Sequence, residues 1–324
     1  MDNFIHESRE LMEQIQQQLE AAVPESLPPY LKEPLLYFIQ TPGKKIRPLL
    51  TLYSAQLVGG DATVALPAAA AVELFHDFTL VHDDIMDEDA LRRGKPTIHT
   101  RWDESTAILV GDAFLGLAYQ ELLKSPSGVL EALTRVFSEA LIKVCEGQAL
   151  DKQFETQSRV SLEAYLDMIT KKTAWLIQVA CELGGIVGGG TPDQVEHLRQ
   201  FGYYLGIGFQ IQDDLLDLTA SPEKLGKMVG SDFKMHKKTY FTIRYQERLR
   251  AEPALQQQYP LDFTTFTTVE AFREALDALG LLQETHHVAR QYLEKSLQAL
   301  RQVSPQTIHS PLLGLVEFLA RRDY

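Results

Sequence analysis

Apolar residues recur at three- and four-residue spacing along almost the whole chain, the repeat of amphipathic α-helices, and no stretch sustains the strict alternation of a strand. The repeat is interrupted at Pro24 to Pro29, Pro42-Gly43, Gly59-Gly60-Asp61, Gly94-Lys95-Pro96, Ser125-Pro126-Ser127-Gly128, Gly188 to Pro192 and Ser304-Pro305. Each break is a cluster of turn formers. The segments between them run to roughly 20 to 30 residues. Residues 192 to 218 carry Val195, Leu198, Leu205, Phe209 and Leu216 at helical spacing, and Thr191-Pro192-Asp193 suits a helix start. The pattern predicts an all-α protein of about ten or more helices, several of them long, as one domain over residues 1–324. Ala251 to Thr268 is the least regular stretch and predicts an insertion or irregular connection.

Two acidic motifs break the apolar pattern at matching points. Asp83-Asp84-x-x-Asp87 is preceded by Leu80-Val81 and interrupted by Ile85-Met86; Asp213-Asp214-x-x-Asp217 is preceded by Ile211 and interrupted by Leu215-Leu216. On a helix, residues four apart lie about 40° apart on one face, so Asp83 and Asp87 share a direction, as do Asp213 and Asp217. At roughly 5 Å and an effective dielectric near 20, two carboxylates repel by about 3 kcal/mol. A cation offsets that cost. Magnesium takes one or two carboxylates, keeps waters and completes its shell with phosphate oxygens, so the second half of such a site is a phosphorylated ligand. The loop-like Leu91-Arg92-Arg93-Gly94-Lys95-Pro96 predicts that the first motif closes its helix, at the negative end of the macrodipole.

Composition narrows the choice of partner. With 324 residues, 45% hydrophobic, the chain can bury a substantial core. A net charge of −13 disfavours a broad polyanion surface, and nucleic acid is not an expected partner. Cys145 and Cys181 are too few for a disulfide framework or a cysteine zinc site and read as reduced thiols. No run of 18 apolar residues is present and the start is acidic, so a soluble, cytoplasmic protein without stable membrane insertion is expected.

Against this acidic background, basic residues gather beside the motifs. Gly43-Lys44-Lys45-Ile46-Arg47-Pro48 places cations at a helix start, Arg92-Arg93-Gly94 follows the first aspartates, Lys171-Lys172-Thr173 lies mid-chain, and Lys227, Lys237 and Lys238 follow the second. Arginine forks and lysine point charges are what a diphosphate needs once magnesium holds its other oxygens. His76 stands seven residues before Asp83, almost in line with it and about 10 Å away along a helix, a diphosphate-sized spacing.

These segments, with Leu80-Val81-His82-Asp83-Asp84-Ile85-Met86-Asp87 and Gly208-Phe209-Gln210-Ile211-Gln212-Asp213-Asp214-Leu215-Leu216-Asp217, resemble the trans-isoprenyl diphosphate synthases, the farnesyl, geranylgeranyl and longer-chain enzymes. The resemblance runs from about residue 40 to 240, with a C-terminal match at Phe318-Leu319-Ala320-Arg321-Arg322. It implies a single helical bundle of the isoprenoid synthase type with a central cavity. It further implies Mg2+, three ions with substrate bound, ligated by Asp83, Asp87 and Asp213, with Asp84, Asp214 and Asp217 as further ligands or as acceptors behind them. Arg92, Lys172 and Lys237 match positions that hold the allylic diphosphate, and Lys227 a further binding position. Lys44, Arg47, His76 and Arg93 match the grip on isopentenyl diphosphate, while Thr173, Phe209 and Gln210 match the lining of the reacting centre. Phe78 and Thr79 occupy the positions that limit product length, and the Phe78 ring implies C15 to C20, although an ideal helix turns it from the aspartate face. The Arg92-Arg93-Gly94-Lys95-Pro96-Thr97-Ile98-His99 run also resembles synthases of longer quinone side chains. A homodimer is implied, with a heterodimer with an accessory subunit as the alternative assembly. The chain departs from the family pattern at Pro42, at Met228 and in His236-Lys237-Lys238-Thr239-Tyr240, which leaves Lys237 and Lys238 competing for one role.

Other readings compete. His76-Asp77 and His82-Asp83 resemble the pairs of helical metal-dependent phosphohydrolases, which leave the second acidic motif unexplained. Glu73-x-x-His76 and Glu284-x-x-His287 would suit a di-iron bundle, which needs two more glutamates and leaves the lysines idle. Terpene cyclases share the first motif, but Asp213-Asp214-Leu215-Leu216-Asp217 differs from their usual second one. The chain could also be the catalytic subunit of a two-component long-chain synthase.

Overall fold

The computed structural model describes residues 8–219, 231–305, 307 and 310–320, and the description below concerns those residues. At its centre lies the helix Ala62–Met86, whose Ala65, Ala68, Ala69, Ala70 and Ala71 are fully buried. Alanine is the strongest helix former and its small side chain lets neighbours approach closely. Asp61 starts the helix by accepting the Thr63 N–H at 2.8 Å. We call it α4, after α1 (Arg9–Ala21), α2 (Pro29–Ile39) and α3 (Ile46–Leu57). Although it contains no unbroken run of 18 apolar residues, it is long and apolar enough to cross a membrane, and most of it is buried in the core.

A two-strand hairpin, β1 (Leu91–Arg92) and β2 (Lys95–Pro96), follows, then α5 (Ile98–Arg101), α6 (Glu104–Leu122), α7 (Leu130–Thr156), α8 (Leu162–Ile169), α9 (Trp175–Val187) and α10 (Pro192–Thr219). The chain continues through α11 (Ser231–Lys234), α12 (Tyr240–Ala251), α13 (Val269–Ala278), α14 (Leu281–Val303) and α15 (Pro311–Ala320). α3 and α6 flank α4, while α10 packs between α9 and α14. Both aspartate motifs sit at the ends of long helices, α4 being capped by Asp87 and Asp213, Asp214 and Asp217 lying in the last turns of α10. The all-α architecture therefore follows the hydrophobic repeat.

Three features depart from it. The hairpin was unannounced because two-residue strands carry no periodicity; its loop, Arg93 (φ 53°) and Gly94 (φ 75°), supplies the left-handed pair of a tight turn. Some helices are shorter than the expected segments; α7 and α8, for example, are separated at Gln157 to Ser161, a mostly polar break without Gly or Pro. A π-turn at Thr170–Ala174 joins α8 to α9. The stretch from Ala251 to Thr268 is irregular, as expected, forming two 3-10 turns anchored by Phe263 stacked 5.6 Å from Phe272.

Candidate active site

A cavity of about 460 Å3 opens between α4, α7, α9 and α10, within the size range of small-molecule sites. Asp83 and Asp213, one from each acidic motif, line it together, with Arg47, His76, Lys172, Thr173, Phe209 and Gln210 at the polar end. Phe78, Leu80, Met86, Val144 and Leu176 supply apolar wall, and His82 and Lys152 line it as well. A second cavity of about 540 Å3, lined by Lys44, Lys45, Arg47, His76, Arg93 and Phe209, adjoins it and shares Arg47, His76 and Phe209.

Each motif divides its labour by helical position. Asp83 faces the cavity, and burial pushes its carboxyl above the usual range, opposed first by Lys172. Asp84 turns the other way, 1% exposed, and accepts from Arg92 Nε at 2.7 Å and Nη2 at 2.6 Å. Asp87 closes α4, with Lys152 Nζ 3.6 Å from its Oδ1. On α10, Asp214 is buried and accepts from the Tyr165 hydroxyl and from Gln210 Nε2, both at 2.7 Å. Gln210 Oε1 in turn accepts from the Thr173 hydroxyl at 2.8 Å, so Asp214 orients the cavity wall from behind. Asp217 is buried at the end of the helix. Of the six aspartates, Asp83 and Asp213 line the cavity; Asp84 and Asp214 are each engaged by side chains of the chain itself, which fits the supporting acceptor of the two roles expected.

The cations arrive from separate elements. Lys172 and Thr173 ride on the π-turn, which approaches α7 where a Cβ on Gly147 would lie 2.2 Å from the Lys172 backbone nitrogen. π-turns of this kind cluster at functional sites. Lys172 Nζ lies 2.5 Å from Asp151 Oδ2, and so both Lys172 and Arg92 are held by carboxylates of the chain itself. The hairpin is pinned by the Tyr37 hydroxyl, which donates to the Pro96 carbonyl at 2.8 Å, while Arg101 stacks 4.3 Å above the Tyr37 ring. At its tip Arg93 donates to the Pro42 carbonyl at 3.2 Å and lies so close to Gly43 that a Cβ there would meet its guanidinium. Arg47 Nη1 contacts His76 Nε2 at 3.0 Å; burial, then Arg47, keeps the imidazole well below its ordinary pKa, so Nε2 accepts. The Thr79 hydroxyl donates to the His76 carbonyl at 2.7 Å. Of the two competing lysines, Lys238 sits over the Phe263 ring at 5.5 Å, and Lys237 is half-buried just before Thr239, the cap of α12. Lys227, Met228, Arg321 and Arg322 lie outside the described residues.

Phe78 lines the cavity despite its helical angle, its ring packed 4.9 Å from that of His82. The di-iron reading fails here: Glu73 pairs with Lys45 at 3.1 Å, whereas Glu284 pairs with Arg244 at 2.6 Å. The hydrolase reading fails too, because Asp77 is 2% exposed and absent from both cavities.

Among the described residues no three side chains of the His, Cys, Asp and Glu types come together as a ready-made metal cage. The available donors are carboxylates spread on two facing helices, a set that suits a hard ion completing its shell with water and phosphate oxygens rather than one caged by protein. Asp151, Lys152, Tyr165 and the Lys45–Glu73–Asp77 group were not foreseen. For Asp151 the signal was present, since Gln148-x-x-Asp151 places a carboxylate one turn from a cavity-lining residue; the others depend on contacts between helices.

A family model described as polyprenyl synthetase matches residues 28–279. The short chain isoprenyl diphosphate synthase of Methanothermobacter thermautotrophicus is 36% identical over 98% of this chain and 98% of its own length. The geranylgeranyl diphosphate synthase of Methanosarcina mazei is 37% identical over 94% and 95%. The crystal structure of geranylgeranyl pyrophosphate synthetase from Pyrococcus horikoshii superposes with a TM-score of 0.91 at 33% identity, covering 99% of both chains.

Proposed function

Because the chain belongs to the polyprenyl synthetase family, we propose that it is a Mg2+-dependent trans-prenyltransferase that joins isopentenyl diphosphate to an allylic diphosphate, giving an all-trans product of C15 to C20 and diphosphate. The observation that carries this reading is the shared cavity: Asp83 and Asp213, far apart in sequence, line one hollow together with cations and apolar side chains.

Asp83, Asp87 and Asp213 would hold the Mg2+ ions, which supply charge neutralisation of the departing diphosphate. Lys172, which lines the cavity, is placed to join in that neutralisation by exchanging Asp151 for phosphate oxygens, and Arg92, which lines neither cavity, is assigned to the same diphosphate on release from Asp84. Lys237 is assigned to the same diphosphate. Lys44, Arg47, Arg93 and neutral His76 surround the adjoining cavity, where the isopentenyl diphosphate would sit. The allylic C–O bond breaks with its electron pair leaving on the diphosphate, the isopentenyl double bond attacks C1, and the proton lost from the adduct goes to that diphosphate. Phe209, common to both cavities, and the apolar wall exclude water, which would otherwise quench the allylic cation. A cytoplasmic homodimer is the assembly this reading favours.

Incubation with Mg2+, isopentenyl diphosphate and farnesyl diphosphate, followed by sizing of the products, tests the reaction. Chain extension that stops on chelation is the expected result. No extension from any allylic primer, or phosphate release without a new carbon–carbon bond, defeats it.

A further inference from the structure

Lys152 is a cation that the reaction leaves without a role. It lines the aspartate cavity from α7, and its ammonium has three partners: the Glu155 carboxylate at 2.8 Å, the Met86 carbonyl at 3.0 Å and, as an ion pair, Asp87 Oδ1 at 3.6 Å. Two of these belong to the end of α4, where the last carbonyls lack partners within the helix and the macrodipole concentrates negative charge. A positive charge there offsets the negative charge of the Asp87 carboxylate and of the helix end.

We propose that Lys152 is an internal stand-in for the metal at Asp87, a positioning residue whose displacement is part of metal loading and which thereby sets the divalent-cation concentration at which the site fills. The inference rests on the functional reading above, in which Asp87 is a metal ligand. Three observations give the contact the character of a releasable latch. Its Asp87 side is the longest of the three contacts, and its Glu155 side the shortest, so the ammonium keeps a partner after it lets go. The Lys152 side chain is 36% exposed while Asp87 is 13% exposed, so the lysine can swing toward solvent and the carboxylate stays in place. The neighbouring pair between α7 and the π-turn differs: Lys172 and Asp151 lie at 2.5 Å with both side chains about one-fifth exposed, a tighter contact. A divalent ion carries twice the charge of the ammonium and accepts phosphate oxygens as well, which decides the competition in its favour once diphosphate is present.

The test measures binding of Mn2+ by the loss of its free electron paramagnetic resonance signal, with Mn2+ alone and with Mn2+ plus inorganic pyrophosphate, on the full chain. Lys152→Gln is expected to bind Mn2+ about two- to fivefold more tightly, the range a part-exposed ion pair supports, and to lower the Mg2+ concentration for half-maximal turnover by a similar factor. Lys152→Arg, which keeps the charge, is expected to stay near the wild type. Unchanged or weaker Mn2+ binding by Lys152→Gln overturns the proposal; weaker binding only with pyrophosphate would mean that the ammonium supports the ligand rather than opposing the ion. Asp83→Asn and Asp87→Asn separate the two levels. If both lose Mn2+ binding while Lys152→Gln is unaltered, the latch alone falls; if both bind as the wild type does, the metal assignment falls and the latch with it.

Discussion

The Arg92 guanidinium grips one oxygen of Asp84, at 2.7 Å from Nε and 2.6 Å from Nη2, and leaves the other oxygen buried without a hydrogen bond. This pair ties the hairpin to the end of α4, while the neighbouring Asp83 faces the cavity. Two adjacent aspartates therefore differ in what they hold. Asp83→Ala is expected to cut turnover by orders of magnitude with little loss of stability, because it removes a metal ligand and relieves repulsion from Asp87. Asp84→Ala is expected to lose about 3 kcal/mol of stability, because it strands a mostly buried guanidinium. Turnover and thermal unfolding of the two variants check the contrast; equal unfolding temperatures would remove it.

A second ion pair is more deeply enclosed. Lys45 Nζ lies 3.1 Å from Glu73 Oε1, with side chains 6% and 4% exposed, in the wall of the cationic cavity. Glu73→Gln alone is expected to destabilise by about 3 to 5 kcal/mol, whereas Lys45→Met combined with Glu73→Leu recovers most of the loss, because breaking one partner strands a buried charge and replacing both does not. Denaturant titration of the single and double variants yields the coupling. Additive losses would show that the two groups do not depend on each other.

Asp77, one helical turn beyond Glu73, gives a pH signature. Burial first, and Glu73 second, push its carboxyl up to about 7 against the pull of Lys45, Arg93 and Arg47. The folded chain therefore keeps a proton that the unfolded chain releases above about pH 4, and the contribution of this group to stability falls as pH rises between those values and is level above them. Asp77→Asn, which does not titrate, should gain on the wild type as pH is raised from 5 to 8. Unfolding temperatures across that range check it, and a difference that stays constant with pH would sink it.

Product length gives a geometric test. His82 packs against Phe78 on one side, and on the other a Cβ at Gly111 would lie 2.2 Å from its Nε2. Gly111→Ala should push the imidazole toward Phe78 and shorten the product, while Phe78→Ala should lengthen it. Chromatographic sizing of prenyl products from both variants decides; identical products would dismiss the pair as the floor of the cavity.

Much of the site could be read before folding because its strongest features are local. Asp83 with Asp87, and Asp213 with Asp217, share faces through helical spacing alone, and the basic runs beside them carry charge that an apolar core would not tolerate. Other features had no local trace. The π-turn that carries Lys172 inserts a residue that the helical repeat does not register, and the Arg93–Gly94 turn spans too few residues to show a pattern. Phe78 looked as if it should face away, yet it lines the cavity together with Asp83.

The sequence by itself determined that the protein is helical, that two carboxylate groups recur at helix-compatible spacing, and that cations lie near them along the chain, because each of these depends only on residues within a turn or two. The tertiary structure decided that Asp83 and Asp213 share one hollow, that Asp84 and Asp214 stand behind it, and that Lys152, Asp151 and Glu73 hold charges there. Those relations join residues on different helices, and their distances depend on how closely the helices pack, which small residues such as Gly147 and the alanines of α4 permit and which no single helix can encode.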